Sequence, residues 1–342
     1  MIDYNNGSVA GRVFEINVGK HMKHMLNPSI PLNNCYPIQL TLTKKIESIP
    51  HLVSMIKDEL KVKLDEDAKI TAKVLIKSLE KKCGIELNSE YEFYWTNCEL
   101  DMQTLTGIHG IRSSADITLK RDNEYYGISL KYSSESDKSS LRSPGIEDLT
   151  VMLNTNPNYI YKNVLDPYFA EVHRLVGKYV GTGTNEQKKA KYKDLIDIPE
   201  MDSTIETIQI ITKGAFVAMA TRYAKDFNKL TREKKLTFIK KMMDADKYPD
   251  NIHIFRAGIS GKNREVSFIC PSEEFDILDD NVEDYRAMYN GATFLIYSKT
   301  KDGLKNSYCN INIKNKSGTP FDNFIGRVSK PPKKKSATKK EQ

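Results

Sequence analysis

The sequence predicts a mixed α/β protein in which antiparallel hairpins surround a central sheet. Along the chain the spacing of the apolar residues is first helical and then alternates as in strands, and this sequence of two patterns occurs twice. The order helix, strands, helix, strands is typical of a mixed α/β layout. The 342 residues, 39% of them hydrophobic, are sufficient for one large core or two ordinary ones.

Three segments carry the helical pattern. In residues 46–83 apolar side chains recur every three or four positions, and Gly84 follows as the expected C-cap. Residues 146–153 begin a shorter apolar segment of the same kind. Residues 204–244 form the longest helical region.

Strand patterns occupy the remaining apolar segments. Residues 1–45 contain many Gly, Asn and Pro residues and are interpreted as loops with one or two strands, among them VFEINV. YEFYW predicts a strand, and residues 115–119 and 126–132 predict two more. The last hundred residues return to alternation in IHIFRAG, VSFIC, ATFLIYS and YCNINIKN.

Charge and composition exclude several classes of protein. The net charge is +7, but residues 327–342 alone contribute +6, so the body is nearly neutral and unlike a histone. The apolar runs are too interrupted for a membrane span, and the first residues lack the pattern of a signal peptide. Five scattered cysteines without CxxC spacing favour a reducing, cytoplasmic setting with free thiols.

The segment ADITLKRDNEYYGISLKY predicts a hairpin with one charged face. With a turn of about four residues, Arg121 faces Tyr126 and Asp116 lies opposite Lys131. Ser129 shares that face because it is two residues from Lys131. The opposite face is apolar and suits the core, so we expect the carboxylate, the ammonium and the hydroxyl to meet in a cleft. An ordinary surface ion pair is the alternative interpretation.

This hairpin resembles the PD-(D/E)xK nuclease superfamily, and most closely its type II restriction enzymes. That family places an Asp on one strand and an acid-x-Lys on the next, after an upstream helix. Asp116 matches the Asp and Lys131 the Lys, whereas Ser129 stands where the acid usually is. The resemblance covers residues 70–155 and implies a restriction-endonuclease-like mixed sheet flanked by helices.

The resemblance also implies roles for individual residues. Asp116 would hold Mg²⁺, which prefers hard oxygen ligands, and Lys131 would orient water or neutralise the phosphate. Ser129 would be a supporting polar group. Because a hydroxyl is a weak metal ligand, a second acid is expected, and Glu80 near the end of the 46–83 helix is the first choice. The other candidates are Glu59, Glu86 and Glu90.

The loop after the second strand is the expected DNA contact. Hydroxyl and cationic groups are the usual partners of phosphates. An ordinary solvated loop is an equal alternative. The predicted DNA-binding residues are Ser133, Ser134, Lys138, Ser140 and Arg142.

Four regions are expected. They are an N-terminal extension (1–45), a nuclease-like catalytic core (46–200), a helical and β-rich region that completes the fold or clamps DNA (201–329) and a basic tail (330–342). The predicted function is a Mg²⁺-dependent DNA endonuclease, with a homodimer as one arrangement that serves cleavage of both strands. The alternatives are a non-catalytic DNA-binding protein of a phage or mobile element and a structural capsid or tail protein.

Overall fold

The structure is a computed structural model in which two compact units are built from interleaved parts of the chain. The first unit combines residues 1–139 and 246–274, and the second combines 140–245 and 275–342. The residues described are 7–40, 48–87, 89–96, 99–109, 115–133, 143–243, 245, 248–260, 265–273, 275, 281–305, 308–316 and 318–329.

The first unit is a six-stranded mixed sheet with helices. Its strands lie in the order β1-β2-β3-β4-β5-β6. The strands are β1 (Ile38–Gln39), β2 (Glu92–Trp95), β3 (Ile117–Arg121), β4 (Glu124–Ser133), β5 (Ile252–Ser260) and β6 (Glu265–Ile269). The helices are α1 (Gly7–Leu26), a 3₁₀ turn (Leu32–Asn34), α2 (Ile49–Ser54), α3 (Asp58–Cys83) and α4 (Glu99–Thr106).

Pairing within this sheet changes direction at β5. Strands β2, β3 and β4 are antiparallel neighbours, whereas β5 runs parallel to β4 and β6 antiparallel to β5. Both faces of the sheet are covered. On one face Ile117 and Ile128 join the side chains of α1 and α3 in the main core, and on the other Ala115 and Ile254 join a smaller cluster with α4.

The N-terminal helix α1 overturns the prediction of loops and strands for its own residues, whereas the predicted strand region near residue 40 contains β1. VFEINV lies within α1, where Val13 and Ile16 are fully buried against the sheet and α3. β-branched residues favour strands only weakly, and burial on one helix face outweighs that preference here. The segment 46–83 is helical as predicted, in two parts, and Gly84 ends α3 with a left-handed φ of 64°.

The second unit is a five-stranded antiparallel sheet packed against helices. Its strands lie in the order β11-β10-β8-β7, with β9 paired to β8. The strands are β7 (Asp284–Asn290), β8 (Thr293–Thr300), β9 (Gly303–Lys305), β10 (Asn310–Asn315) and β11 (Phe324–Ser329). The helices are α5 (Ile146–Met152), α6 (Pro157–Ile160), a π-helical turn (Tyr161–Leu165), α7 (Asp166–Val180), α8 (Asn185–Ile196), a 3₁₀ turn (Pro199–Met201), α9 (Asp202–Lys229) and α10 (Arg232–Met243).

The mixed α/β class is confirmed, and the units cut across the four regions expected from the sequence. Strand β5 pairs with β4 over nine positions, so a late segment of the chain belongs to the first unit. The helices from α5 to α8, expected in the catalytic core, belong to the second unit. Pairing between distant segments is invisible to a pattern of local periods, which explains the difference.

Candidate active site

The hairpin of β3 and β4 holds the predicted site, in a register that differs from the expected one. Arg121 pairs with Glu124 across a two-residue turn, and Ile117 pairs with Ile128. The expected four-residue turn is therefore wrong. The tight turn forms because Asp122 adopts a φ of 54°, a left-handed conformation that Asp tolerates better than most residues. One more step of the register places Asp116 beside Ser129 instead of Lys131.

Asp116 is fixed by backbone bonds on both sides. Its N–H donates to the Ile128 carbonyl at 2.8 Å, and its carbonyl accepts from the Thr96 N–H at 3.0 Å. The carboxylate Oδ2 accepts a hydrogen bond from the Leu130 N–H at 2.5 Å. These hydrogen bonds hold the residue in place. Its side chain keeps 17% of its surface exposed, so a ligand can reach it.

Lys131 reaches Asp116 diagonally across the same face. Its Nζ lies 3.9 Å from Asp116 Oδ2, and 35% of the side chain is exposed. Burial raises the pKa of Asp116 to about 6, and the Lys131 charge is the strongest influence in the opposite direction. The ammonium and the carboxylate thus meet as the sequence predicted, although through a different register.

Ser129 and Arg256 form the floor of the site. They pair directly across β4 and β5, and both are almost fully buried. The Ser129 hydroxyl and the Arg256 charge each lower the pKa of Asp116. Within the described part of the chain, however, Ser129 Oγ completes no hydrogen bond of good geometry.

The second acid at the site is Glu15 of α1, which the sequence analysis missed. Its Oε2 accepts a hydrogen bond from Trp95 Nε1 at 3.3 Å. Burial and then the negative charge of Asp116 raise the pKa of Glu15 to about 8, while Trp95, Lys131 and Arg12 act to lower it. The two carboxyls therefore interact, and burial raises both pKa values despite the nearby cations Lys131, Arg12 and Arg256.

A helical signal for Glu15 was present in the sequence. Val9, Val13 and Ile16 follow a helical spacing, and Gly19 lies one turn beyond Glu15. In the structure a side chain on Gly19 would touch Ile117 at 3.0 Å, which shows how closely this part of α1 approaches the strand that follows Asp116. Reading VFEINV as a strand concealed this spacing.

Glu80 is not brought to Asp116 by any interaction among the described residues. It lies in the last turn of α3, where its carbonyl accepts the Gly84 N–H. Its neighbour Lys82 pairs with Glu273 at 2.6 Å, beyond the end of β6. Of the other candidates, Glu86 pairs with Arg121 at 3.7 Å.

The predicted DNA-contacting loop lies almost entirely outside the described residues. Ser133 is the last residue of β4, and its side chain is not described. The others, Ser134, Lys138, Ser140 and Arg142, fall outside the described ranges, as does the basic tail from 330.

Two carboxylates at the candidate site, those of Glu15 and Asp116, together suit the binding of a hard cation such as Mg²⁺. The described residues contain no group of three or more His, Cys, Asp or Glu side chains arranged to hold a metal ion. Mg²⁺ is often held by one or two carboxylates with water completing its shell. Glu15 and Asp116 offer two carboxylates, and the Leu130 N–H and Lys131 Nζ both approach Asp116 at Oδ2.

No family model, curated protein or solved structure matches this chain. Among the described helices, none is both long enough and apolar enough to cross a membrane.

Proposed function

We propose that this chain is a metal-dependent endonuclease that hydrolyses DNA phosphodiester bonds. The observation that carries the proposal is the meeting of Asp116 and Lys131 at 3.9 Å on one hairpin face, with the carboxyl of Glu15 in electrostatic reach. Two acids and one ammonium at a half-exposed position are the groups needed to bind a cation and a phosphate together.

The surrounding elements support a restriction-endonuclease-like core of the PD-(D/E)xK type. The resemblance requires an upstream helix, a strand with the Asp and a following strand with the Lys. Helix α1, strand β3 with the preceding Asp116, and strand β4 supply these in order. In that family the first helix often contributes an acid, and Glu15 is in that position.

Glu15 and Asp116 would hold Mg²⁺. When bound, the metal supplies positive charge that stabilises the developing negative charge of the phosphate oxygens. Its positive charge would also oppose the effect of burial on the two pKa values, because a nearby cation favours ionised carboxylates. The fit rests on this donor chemistry and on the electrostatic interaction between the two acids.

The chain's own residues have separate tasks. Lys131, with 35% of its side chain exposed, is placed to bind a phosphate oxygen and to orient the attacking water. Arg256 acts through Asp116, because its buried charge lowers the pKa of that carboxyl. The Leu130 N–H fixes the carboxylate orientation so that it is preorganised.

Plasmid cleavage tests the proposal. Supercoiled DNA is incubated with protein and Mg²⁺, and a parallel sample contains EDTA. Nicking or linearisation that requires Mg²⁺ and drops by ~10³-fold or more in Asp116→Asn and Lys131→Ala is expected. The matched controls are Asp122→Asn in the turn and Lys120→Ala on β3, where the Lys120 side chain pairs with Glu92 of β2. Unchanged cleavage in Asp116→Asn would show that the nuclease lies elsewhere or is a contaminant.

A non-catalytic DNA-binding protein of a phage or mobile-element assembly is the second candidate. It is favoured by Ser129, which replaces the usual acid, and by the small number of acids at the site. It predicts DNA binding that survives EDTA and the Asp116→Asn change, with no cleavage at any metal concentration. A DNA partner, a cytoplasmic location and a homodimer remain parts of the proposal, and sedimentation with palindromic DNA tests the dimer.

A further inference from the structure

The sheet of the second unit has one buried face and one face that meets solvent. Along β7, β8, β10 and β11 alternate side chains, such as Phe294, Ile311 and Val328, enter the core. The residues between them point outward and are exposed or half-buried. We call this surface the outer sheet face, and its central members are Arg286, Leu295, Tyr297, Asn312, Lys314 and Arg327.

Cations lie at two ends of the outer sheet face. Arg286 pairs with Tyr297 across β7 and β8. At the other end Arg327 pairs with Asn312, and Lys314 lies two residues beyond Asn312. Asn312 lies opposite Thr293, which is four residues before Tyr297 on β8. Lys314 lies two residues further in the same direction, so Arg286 and Lys314 are separated by about six residues, or roughly 20 Å, along the strands.

The area between the cations is aromatic, aliphatic and amide in character. Leu295 and Tyr297 are successive residues on the outward face of β8. Met288 pairs with Leu295 across β7 and β8, and its side chain is 51% exposed. Asn310 and Asn312 complete this area, and the Asn312 amide donates to Thr293 Oγ1 at 2.7 Å. Such side chains stack on or hydrogen-bond to unpaired bases.

Negative charge is nearly absent from these strands. Asp284 is the one carboxylate within β7, β8, β10 and β11, and both its oxygens accept hydrogen bonds from Lys235 at 3.0 and 3.2 Å. These four strands therefore carry more cations than carboxylates, which suits a polyanion.

We propose that the outer sheet face binds single-stranded DNA. The cations at the two ends would contact phosphates, and the central area would contact bases. A duplex would present its phosphates and sugars to this surface and leave the Tyr297 and Leu295 area unused, so the unpaired strand fits better. The distance between Arg286 and Lys314 corresponds to a few nucleotides, which is near the smallest site size of single-strand-binding folds.

Fluorescence anisotropy with labelled oligothymidylate of about 20 nucleotides tests this inference. Measurement in EDTA separates binding from cleavage, so the result does not depend on the proposed nuclease. Removing both cations in Arg286→Ala/Lys314→Ala is expected to weaken binding by ~10-fold or more and to reduce the salt slope by about 1.4. Tyr297→Leu is expected to weaken binding by ~5-fold or more without changing the slope, since stacking and not charge is lost.

Two exposed lysines on helices of the same unit provide the control. Lys193→Ala/Lys213→Ala removes the same charge from α8 and α9, and binding should stay within ~2-fold of the wild type. Thermal unfolding identifies any variant that has not folded, and the charge and ring variants test the surface separately. An equal loss in the control, or equal competition by unlabelled duplex and single strand, would overturn the inference.

Discussion

Asp116 and Lys131 approach to 3.9 Å although the hairpin register does not place them opposite each other. The paired residues of the hairpin end at Ile117 and Ile128, the Asp116 N–H donates to the Ile128 carbonyl, and Lys131 lies three residues further along β4. Side chains on a strand alternate between faces, so an error of two residues in register preserves the face of every side chain. The meeting of these charges therefore depends on strand alternation and tolerates the difference in turn length.

Glu15, and not Glu80, should determine the affinity for Mg²⁺. Trp95 is the only tryptophan of the chain, and its indole N–H donates to Glu15. Cation binding at Glu15 should therefore change the fluorescence of Trp95 in a titration without DNA. Glu15→Gln is expected to raise the Mg²⁺ concentration at half-saturation by ~10-fold or more, because a neutral amide replaces an anionic ligand.

Glu80→Gln is the matched control for that titration. It removes the same charge from α3, and we expect a curve indistinguishable from the wild type. A shift in Glu80→Gln together with an unchanged curve in Glu15→Gln would restore the assignment made from the sequence and reject Glu15.

The strand patterns of the sequence predicted the hairpin and the face that carries Asp116 and Lys131, because period-two alternation is a local property. The second acid was not predicted, since the β-branched residues around Glu15 concealed a helix whose stability comes from burial against the sheet. Arg256 was also missed. It reaches the site through the parallel pairing of β4 with β5, more than a hundred residues later, and no local pattern encodes that contact.

The stability of the metal-free protein should fall as pH rises from about 4 to 8. The pKa values of Glu15 and Asp116 are raised in the fold, mainly by burial, so the native state holds protons that the unfolded state has released. The contribution is present at low pH and is lost as pH rises through the raised pKa values. Lys131, Arg12 and Arg256 face the pair and reduce the effect.

Urea denaturation of the wild type and of Glu15→Gln at pH 5 and pH 8 measures this effect. At pH 8 the variant should be more stable by an amount on the order of 2 kcal/mol, because it cannot carry the buried charge. At pH 5 the two proteins should be similar. Greater stability of the wild type at pH 8 would contradict the assigned direction of the shift.

Ser129→Ala should leave the free energy of unfolding nearly unchanged. Ser129 is only 1% exposed, and its hydroxyl completes no hydrogen bond of good geometry among the described residues. Removing such a group costs little, whereas losing a satisfied one costs about 1–3 kcal/mol. Thermal unfolding measures the difference, and a large loss of stability would show that Ser129 has a partner. Cleavage by this variant then tests whether the hydroxyl itself takes part.

Gly127→Ala should destabilise the first unit, because β4 passes close to its neighbours at this position. A Cβ there would lie 2.7 Å from Ile254 Cδ1 and 2.9 Å from Ala115 Cβ, so the smaller cluster behind the sheet would have to move. We expect a loss of about 1–3 kcal/mol in the free energy of unfolding. Gly11→Ala in α1 meets no atom within 4 Å and should instead stabilise the helix by about 0.5–1 kcal/mol. Opposite signs for the two glycines would follow from crowding at Gly127 and from helix propensity at Gly11, and equal signs would contradict the packing described for β4.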